Sequence, residues 1–311
     1  MTRRGFLGAA AGAAALTAAP AAAGPGRTPP RGITTFVMVT GANGSASGDA
    51  ELTLRGHRTV GVELPGHGAA AGQFRRSYQA PQNLTALATE PSPMAGITLD
   101  DYVAATVAVV RRAARFGPVI LWGGSMGGAT VSRVANEVPT LISRLVYSSA
   151  FCCVDLPTMG HYLQTPEAAG TLILELGGAS LADPAVIGAT RTNFRTNDKA
   201  VLAKMKRALC ADATDAEFMT ILNASHPDES AQIPIADARG HKDTWGTIPR
   251  TYIRHTRDRM IPLPLQNRFI AEADRLTPDN KFDVRSIATS HAADQAGWAA
   301  SVEILDDLAR R

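Results

Sequence analysis

Short apolar runs alternate along the chain with longer stretches that have helical periodicity. The apolar runs cover residues 34–40, 59–64, 119–122, 145–149, 250–254 and 282–287. Runs of this kind, separated by segments of helix length, predict an α/β fold: a mostly parallel six-stranded sheet with helices on both faces. The clearest helix is predicted over 98–115, with Thr98 as N-cap, acidic residues in the first turn and arginines in the last.

Between residues 152 and 247 the strand pattern fades. Helical patterns replace it at 166–176, 198–209 and 215–223. We therefore predict a helical cap insertion over 152–247, which divides one α/β domain into a first part at 33–151 and a second part at 248–311. Residues 24–32 are rich in Pro and Gly and are predicted to form a flexible leader.

Residues 1–23 have the composition of an export signal. Arg3 and Arg4 precede an alanine-rich run, and small residues at Ala21 and Ala23 suit cleavage. The paired arginines resemble the twin-arginine signal. An ordinary secretory signal and an uncleaved anchor are the alternatives, although the run is shorter than the ~20 residues that span a bilayer. We expect an exported protein, extracellular or in the cell envelope, without stable membrane association after export.

Charge and cysteine content exclude several classes of function. The formal net charge is +3, of which Arg3 and Arg4 contribute two, so nothing indicates nucleic-acid binding. The three cysteines are Cys152, Cys153 and Cys210. Adjacent cysteines rarely bridge each other, so free thiols are favoured over one disulfide to Cys210. This spacing predicts no metal site.

The residues 119–130 combine three local signals. An apolar run is followed by Gly123-Gly-Ser-Met-Gly127, which fits G-x-S-x-G, and then by a helical pattern that ends near Glu137. A strand, a sharp turn and a helix with Ser125 at the apex are typical of a nucleophile elbow. Glycines flank such a serine because side chains there would make strand and helix collide. The backbone N–H of Met126 is predicted to face a developing oxyanion.

A serine hydroxyl needs a base and a group that orients the base. In a parallel sheet these groups lie in loops at the carboxyl ends of strands. Asp258 follows the penultimate predicted strand and His291 follows the last. The chain order serine, aspartate, histidine is that of the α/β-hydrolase fold. Asp155, in the loop after another strand, is the alternative acid, and His255 is a lesser alternative base.

With these pieces in place, residues 34–308 resemble the α/β-hydrolase superfamily, and within it the branch of plant methylesterases and hydroxynitrile lyases. The similarity includes the Gly-rich loop after the first strand, the segments 64–68 and 256–258, and the dipeptide 290–291. It implies that Ser125 is the nucleophile, His291 the general base and acid, and Asp258 the residue that orients His291. It also implies that the oxyanion donors are the N–H groups of Met126 and Ala42.

At two places the sequence differs from the residues usual in these related enzymes. Thr40 stands where the family usually has histidine, so a neighbour of Ala42 could supply the second donor instead. The related lyases have lysine after the catalytic histidine, where this chain has Ala292, and threonine where it has Gly41. Both differences favour ester hydrolysis over cyanohydrin cleavage.

Other classes of function remain as alternatives. Residues 40–48 are similar to the start of a short-chain dehydrogenase, but Ser45 and Ser47 stand where its glycines belong and Tyr-x-x-x-Lys is absent. Acyl transfer, cyclisation or a lyase reaction on the same triad, and a non-catalytic small-molecule binder, stay open.

We therefore predict a serine hydrolase that cleaves a small carboxylic ester, lactone or thioester without a cofactor. A compact hydrophobic ester or a short to medium acyl chain is expected in a modest apolar pocket. Candidate substrate-binding residues are Asn43, Met159, Tyr162, Phe218 and Trp245. For the last four, packing in a core is an equal alternative.

Overall fold

The computed structural model describes residues 33–68 and 74–311. The predicted export signal and leader, residues 1–32, lie outside the described residues. Within the described part the strands are β1 Thr35–Val39, β2 Arg58–Gly61, β3 Val119–Ser125, β4 Arg144–Ala150, β5 Ala189–Arg191, β6 Asp228–Ser230, β7 Arg250–His255 and β8 Asp283–Ile287. Six of them form one sheet in the order β2-β1-β3-β4-β7-β8, and every neighbouring pair is parallel.

Helices connect these strands. They are α1 Ala50–Leu54, α2 Leu84–Thr89, α3 Leu99–Ala113, α4 Gly127–Glu137, α5 Met159–Tyr162, α6 Pro184–Ile187, α7 Lys199–Leu209, α8 Asp215–Ala224, α9 Leu263–Leu276 and α10 Gln295–Arg310. The predicted six-stranded parallel sheet flanked by helices is confirmed. Each strand of this sheet begins and ends within three residues of its predicted run; β2 ends earlier than predicted, at Gly61, and β3 ends later, at Ser125.

The sheet has a hydrophobic core on each face. Side chains from α3, α4 and α9, such as Val103, Val131 and Leu265, pack on one face. Leu52 of α1 and Val302 of α10 pack on the other. A parallel sheet must be covered on both faces because its strands are apolar on both, and this leaves only the strand ends open. The loops at the carboxyl ends therefore become the place for a site.

Local sequence explains the start of α3. Thr98 is the N-cap, and its hydroxyl accepts the N–H of Asp101 while the Asp101 carboxylate accepts the N–H of Thr98. This reciprocal capping box satisfies two backbone donors that an isolated helix start leaves free.

The segment between β4 and β7 differs from its prediction in two ways. Residues 166–176 do not form one helix but two short 3-10 segments, Pro166–Ala168 and Ile173–Ala179. Between them the chain bonds instead to the loop after β7, because the Leu172 N–H donates to the Arg259 carbonyl at 2.7 Å. Tertiary backbone pairing overrides the local helical pattern here.

The second difference is a small antiparallel sheet formed by β5 and β6. Its strands have three residues each and carry charged side chains, so no apolar alternation marks them in the sequence. The helices predicted at 198–209 and 215–223 are found as α7 and α8, which begin after the N-caps Asp198 and Thr214.

A buried ion cluster holds this small sheet. The Asp228 carboxylate accepts two hydrogen bonds from the guanidinium of Arg191, at 2.6 and 2.7 Å, and one from Arg75 at 3.1 Å. Both side chains of the Arg191–Asp228 pair are 0% exposed. Ser92 adds a fourth hydrogen bond at 2.7 Å, so the buried carboxylate is fully satisfied.

All three cysteines lie in the described part, and each is buried and free, as favoured from the sequence. Among the described residues, no helix is long and apolar enough to cross a membrane.

The ion cluster generates a stability prediction. Asp228→Ala leaves the fully buried guanidinium of Arg191 without a counter-ion, so we expect the free energy of unfolding to fall by ~3–5 kcal/mol. Urea denaturation followed by circular dichroism measures it. Asp215→Ala is the matched control, because Asp215 pairs with Lys206 while its own side chain is 93% exposed, and little change is expected. Equal losses in the two variants would contradict the prediction.

Candidate active site

The connection from β3 to α4 is a strained turn with Ser125 at its apex. Ser125 has a φ of +52°, a conformation that residues with a side chain rarely adopt. The helix that follows lies against backbone on two sides. A Cβ on Gly127 would lie 2.6 Å from the Thr40 carbonyl oxygen, and one on Gly128 would lie 2.1 Å from that of Phe151. Only glycine fits these two positions without moving backbone.

Three predicted site residues meet at the carboxyl ends of the strands. The Ser125 hydroxyl lies 2.9 Å from Nε2 of His291, and Nδ1 of His291 lies 2.6 Å from the Asp258 carboxylate. Ser125 ends β3, while Asp258 and His291 follow β7 and β8. The alternative acid, Asp155, pairs with Arg275 instead, while His291 pairs with Asp258.

The Asp258 carboxylate is buried and fully engaged. One oxygen accepts the N–H groups of Met260 and Ile261 at 2.6 and 2.9 Å, and the other accepts the Ser149 hydroxyl as well as His291. Burial alone would raise the pKa of this carboxyl. The charge of His291 and these hydrogen bonds outweigh burial and hold the pKa of Asp258 below its ordinary value. The group therefore stays ionised beside His291.

His255 supports the loop that carries His291. Its Nδ1 lies 2.9 Å from the Ser290 carbonyl and its Nε2 lies 3.1 Å from the Ser148 hydroxyl. Burial lowers the pKa of His255, so the ring is neutral, with Nδ1–H donating to the carbonyl and Nε2 accepting from Ser148. His255 thus contacts the backbone of the segment that carries His291, whereas the Ser125 hydroxyl contacts His291 itself. Only its position at the end of β7 could have pointed to this function.

The two predicted oxyanion donors lie on either side of Ser125. Met126 is the N-cap of α4, so its N–H lies at the positive end of the helix. Ala42 follows Gly41, where an added Cβ would lie 2.8 Å from the Cβ of Ser125. Among the described residues, neither N–H has an acceptor within the protein, so both are free to bind a ligand.

A cavity of about 430 Å³ opens in front of Ser125. Residues of the loop after β1, Asn43 among them, form one side of it. Apolar side chains from elsewhere complete the lining: Trp122, Leu176, Phe194, Leu209, Ile221, Met260 and Trp298. Within residues 33–68 and 74–311, none of the lining residues is Asp, Glu, Lys or Arg, so the cavity suits an uncharged, largely apolar ligand.

Four predicted pocket residues do not line this cavity. Met159 and Tyr162 pack in the main core, where the Tyr162 ring lies 4.9 Å from that of Phe269. Trp245 is fully buried and donates to the Tyr147 hydroxyl at 2.7 Å. Phe218 packs in a separate core formed by α7 and α8. Their large apolar side chains fill cores, and this was the alternative kept for them.

The apolar residues that line the cavity are not among the pocket residues predicted from the sequence, and most of them lie between β4 and β7. Phe194, Leu209 and Ile221 lie on loops and helices between β4 and β7. Leu209 has apolar neighbours on both sides in the sequence and Ile221 is followed by Leu222, so only the path of the chain decides which of these side chains line the cavity. Among the described residues, no cluster of three or more His, Cys, Asp or Glu side chains could hold a metal ion.

This strand order and this arrangement of serine, histidine and aspartate define an α/β-hydrolase. A family model described as the alpha/beta hydrolase family matches residues 36–299, and the chain belongs to that family. No curated protein matches the sequence.

Solved structures show the same fold at low sequence identity. A pyrethroid hydrolase from Sphingobium faniae JZ-2 is 19% identical, with a TM-score of 0.65, over 89% of this chain and 98% of that one. An extracellular alpha/beta-hydrolase from a Paenibacillus species, described as homologous in structure and function to tobacco salicylic acid binding protein 2, is 20% identical over 88% and 98%, with a TM-score of 0.59. A methylesterase from Arabidopsis is 15% identical over 88% and 97%, with a TM-score of 0.56.

The lowered pKa of Asp258 predicts how stability depends on pH. A carboxyl whose pKa is depressed on folding contributes stability above its unfolded pKa, and this contribution is lost as pH falls through the folded pKa. We expect the stability advantage of the wild type over Asp258→Asn to be full near pH 6 and to shrink below about pH 4, near the unfolded pKa of aspartate. Urea denaturation of both proteins from pH 3 to pH 7 measures it. An advantage that grows as the pH falls would contradict the assignment.

Proposed function

We propose that this protein is a serine hydrolase that cleaves a small carboxylic ester through an acyl-enzyme on Ser125. The observation that carries the proposal is the continuous hydrogen-bond chain from the Ser125 hydroxyl through His291 to the buried Asp258. A hydroxyl that donates to an imidazole nitrogen can lose its proton to that nitrogen as it attacks, and the carboxylate stabilises the imidazolium that results.

In the first half of the reaction, Ser125 Oγ bonds to the ester carbonyl carbon while His291 Nε2 takes the hydroxyl proton. The carbonyl oxygen becomes an oxyanion. When the tetrahedral intermediate collapses, the bond to the alkoxy oxygen breaks and His291 gives its proton to that oxygen, which releases an alcohol. In the second half, His291 takes a proton from water as the water oxygen bonds to the acyl carbon. The second tetrahedral intermediate then collapses, the bond between the acyl carbon and Ser125 Oγ breaks, and His291 returns its proton to Oγ as the carboxylic acid leaves.

The oxyanion is stabilised by the N–H groups of Met126 and Ala42. Both belong to backbone that is fixed before substrate arrives, and neither has an acceptor within the described residues. Preorganised donors of this kind lower the barrier because they need no rearrangement as charge develops.

The substrate is proposed to be an uncharged, compact and hydrophobic ester. The cavity of about 430 Å³ and its apolar, uncharged lining support this choice. The structural neighbours described as a pyrethroid hydrolase and a methylesterase agree with ester chemistry on this fold. Ala292 follows His291 and lines the cavity, so the position that would carry a lysine in a related lyase is apolar here.

We also propose that the protein is exported, by the twin-arginine route. The support is the sequence of residues 1–23, with Arg3 and Arg4 before an apolar run. A passenger that crosses the membrane already folded suits a single compact domain whose three cysteines are free.

The first test of the function is hydrolysis of p-nitrophenyl esters from acetate to palmitate. We expect the wild type to turn over short and medium chains best, because a cavity of this size holds few carbons. Ser125→Ala should reduce turnover to background, and a serine-reactive fluorophosphonate should label only the wild type. No turnover together with no labelling of folded wild type would favour a non-catalytic binder.

The second test separates the two candidate acids. Asp258→Asn should lower kcat by about 10⁴, because the imidazole of His291 would lose its orienting charge and tautomer. Asp155→Asn is the matched control and should retain kcat, since Asp155 pairs with Arg275. Steady-state kinetics on one ester compare the variants, and loss of activity in Asp155→Asn alone would show that the acid had been misassigned.

A further inference from the structure

A buried carboxylate outside the serine site contacts the backbone of the loop beside Ser125. We call residues 41–45 the oxyanion loop, since it includes Ala42. Oε2 of Glu229 accepts the N–H of Asn43 at 2.7 Å. Glu229 belongs to β6, 186 residues away in the chain, and is only 5% exposed. A carboxylate is the strongest acceptor available for a backbone N–H, so this contact fixes the loop firmly.

Other side chains hold that carboxylate in place. Tyr102 donates its hydroxyl to Oε1 at 2.8 Å, and the Ser230 N–H donates to the same oxygen at 2.9 Å. Nε2 of His67 lies 3.2 Å from Oε2. Burial alone would lower the pKa of His67, but the hydrogen bond and charge of Glu229 outweigh it and raise that pKa. His67 and Glu229 therefore form a buried ion pair. Pairing between β5 and β6 does not by itself require this ion pair.

His67 of the same cluster also contacts the oxyanion loop, at Gly44. Nδ1 of His67 lies 2.5 Å from the Gly44 carbonyl oxygen, and the Gly44 N–H donates to the Gly41 carbonyl at 3.3 Å. In a trans peptide the C=O and N–H point in opposite directions. Because the Gly41 carbonyl is directed at Gly44, the N–H of Ala42 in the same peptide is directed away from it.

The residue that donates to Glu229 has a left-handed backbone conformation. Asn43 has a φ of +59°, in the left-handed region. Its backbone carbonyl accepts the His226 N–H at 2.8 Å, and its side chain donates to the His226 carbonyl at 2.9 Å. A turn of this kind persists only where surrounding contacts determine it, and here those contacts come from β6 and the residues just before it.

We propose that Glu229 is the positioning residue of the oxyanion loop. Its carboxylate, backed by His67 and Tyr102, holds the peptides on either side of Ala42 so that the Ala42 N–H faces the reacting carbonyl oxygen. The inference rests on the proposed ester hydrolysis. It assigns to the segment between β4 and β7 a function in transition-state stabilisation, beyond forming a wall of the cavity.

The test compares three variants in ester hydrolysis. Glu229→Met preserves the side-chain volume but removes the acceptor for the Asn43 N–H. We expect kcat to fall about 100-fold and KM to stay within a few fold of wild type. The reason is that a displaced Ala42 N–H would weaken binding of the transition state more than binding of the substrate. Glu229→Gln keeps an oxygen for the Asn43 N–H and should restore kcat to within about tenfold of wild type. Thr190→Val is the matched control: it removes a hydroxyl that donates to the Glu229 backbone carbonyl but leaves the carboxylate, and it should behave as wild type.

Two readouts separate positioning from simple loss of folded protein. Fluorophosphonate stoichiometry counts competent sites, so kcat is expressed per active site. A trifluoromethyl ketone places an oxyanion on the Ser125 adduct, and its Ki should rise in Glu229→Met by the same factor as kcat/KM falls. The Ki of the carboxylic acid product, which has no tetrahedral oxyanion, should not change. A parallel loss in both inhibitors, or wild-type kcat in Glu229→Met, would overturn the inference.

A further variant distinguishes a loss of folding from a loss of catalysis. If Glu229→Met does not fold, the variant with both His67→Leu and Glu229→Met leaves no stranded charge and should show the same loss of kcat. If that variant is unfolded too, the contact is one of folding and the inference is overturned. If the wild type itself shows no Ser125-dependent hydrolysis, the proposed function fails, whatever the Glu229 variants do.

Discussion

The left-handed turn at Ser125 is the constraint on which the site depends. A serine at a φ of +52° costs energy that the surrounding structure must supply, of the order of 1–3 kcal/mol for such a residue. The structure supplies it through backbone contacts: α4 lies against the carbonyl groups of Thr40 and Phe151, and Gly41 lies against Ser125 itself. The position of the hydroxyl is therefore set by main chain from β1, β3 and β4 together.

Two buried carboxylates, those of Asp258 and Glu229, hold other parts of the site in place. Asp258 is stabilised as an anion by His291, Ser149 and two backbone N–H groups, and it contacts Ser125 through His291. Glu229 accepts a hydrogen bond from Tyr102, lies beside His67 and contacts Asn43 in the loop that carries the proposed second oxyanion donor. A buried anion is tolerated only when its acceptors are filled, and each of these has donors on both oxygens. Among the described residues, neither carboxylate lines the cavity, and the side chains that do are not Asp, Glu, Lys or Arg.

In the proposed reaction, the segment between β4 and β7 contributes both to the substrate cavity and to the position of the oxyanion loop. Its apolar residues, including Phe194 and Leu209, form a wall of the cavity, while β6 carries Glu229 to the oxyanion loop. The buried Arg191–Asp228 pair holds β5 to β6 next to that glutamate. A change that loosens this small sheet would therefore act on the loop beside Ser125 as well as on the wall.

The sequence alone determined the parallel sheet, the turn at Ser125 and the order of the candidate serine, aspartate and histidine. These features have local signatures, because apolar runs, glycine spacing and strand-end positions are set by residues close together in the chain. Which apolar residues line the cavity was decided only by tertiary structure, since Phe218 and Ile221 on one helix look alike in sequence. Phe218 is buried inside a core, whereas Ile221 packs against that core and also lines the cavity. The same holds for Glu229, whose contact with Asn43 joins residues far apart in the chain and leaves no periodic signal. Local patterns report what the backbone does nearby, whereas burial and long-range hydrogen bonds depend on how the whole chain packs.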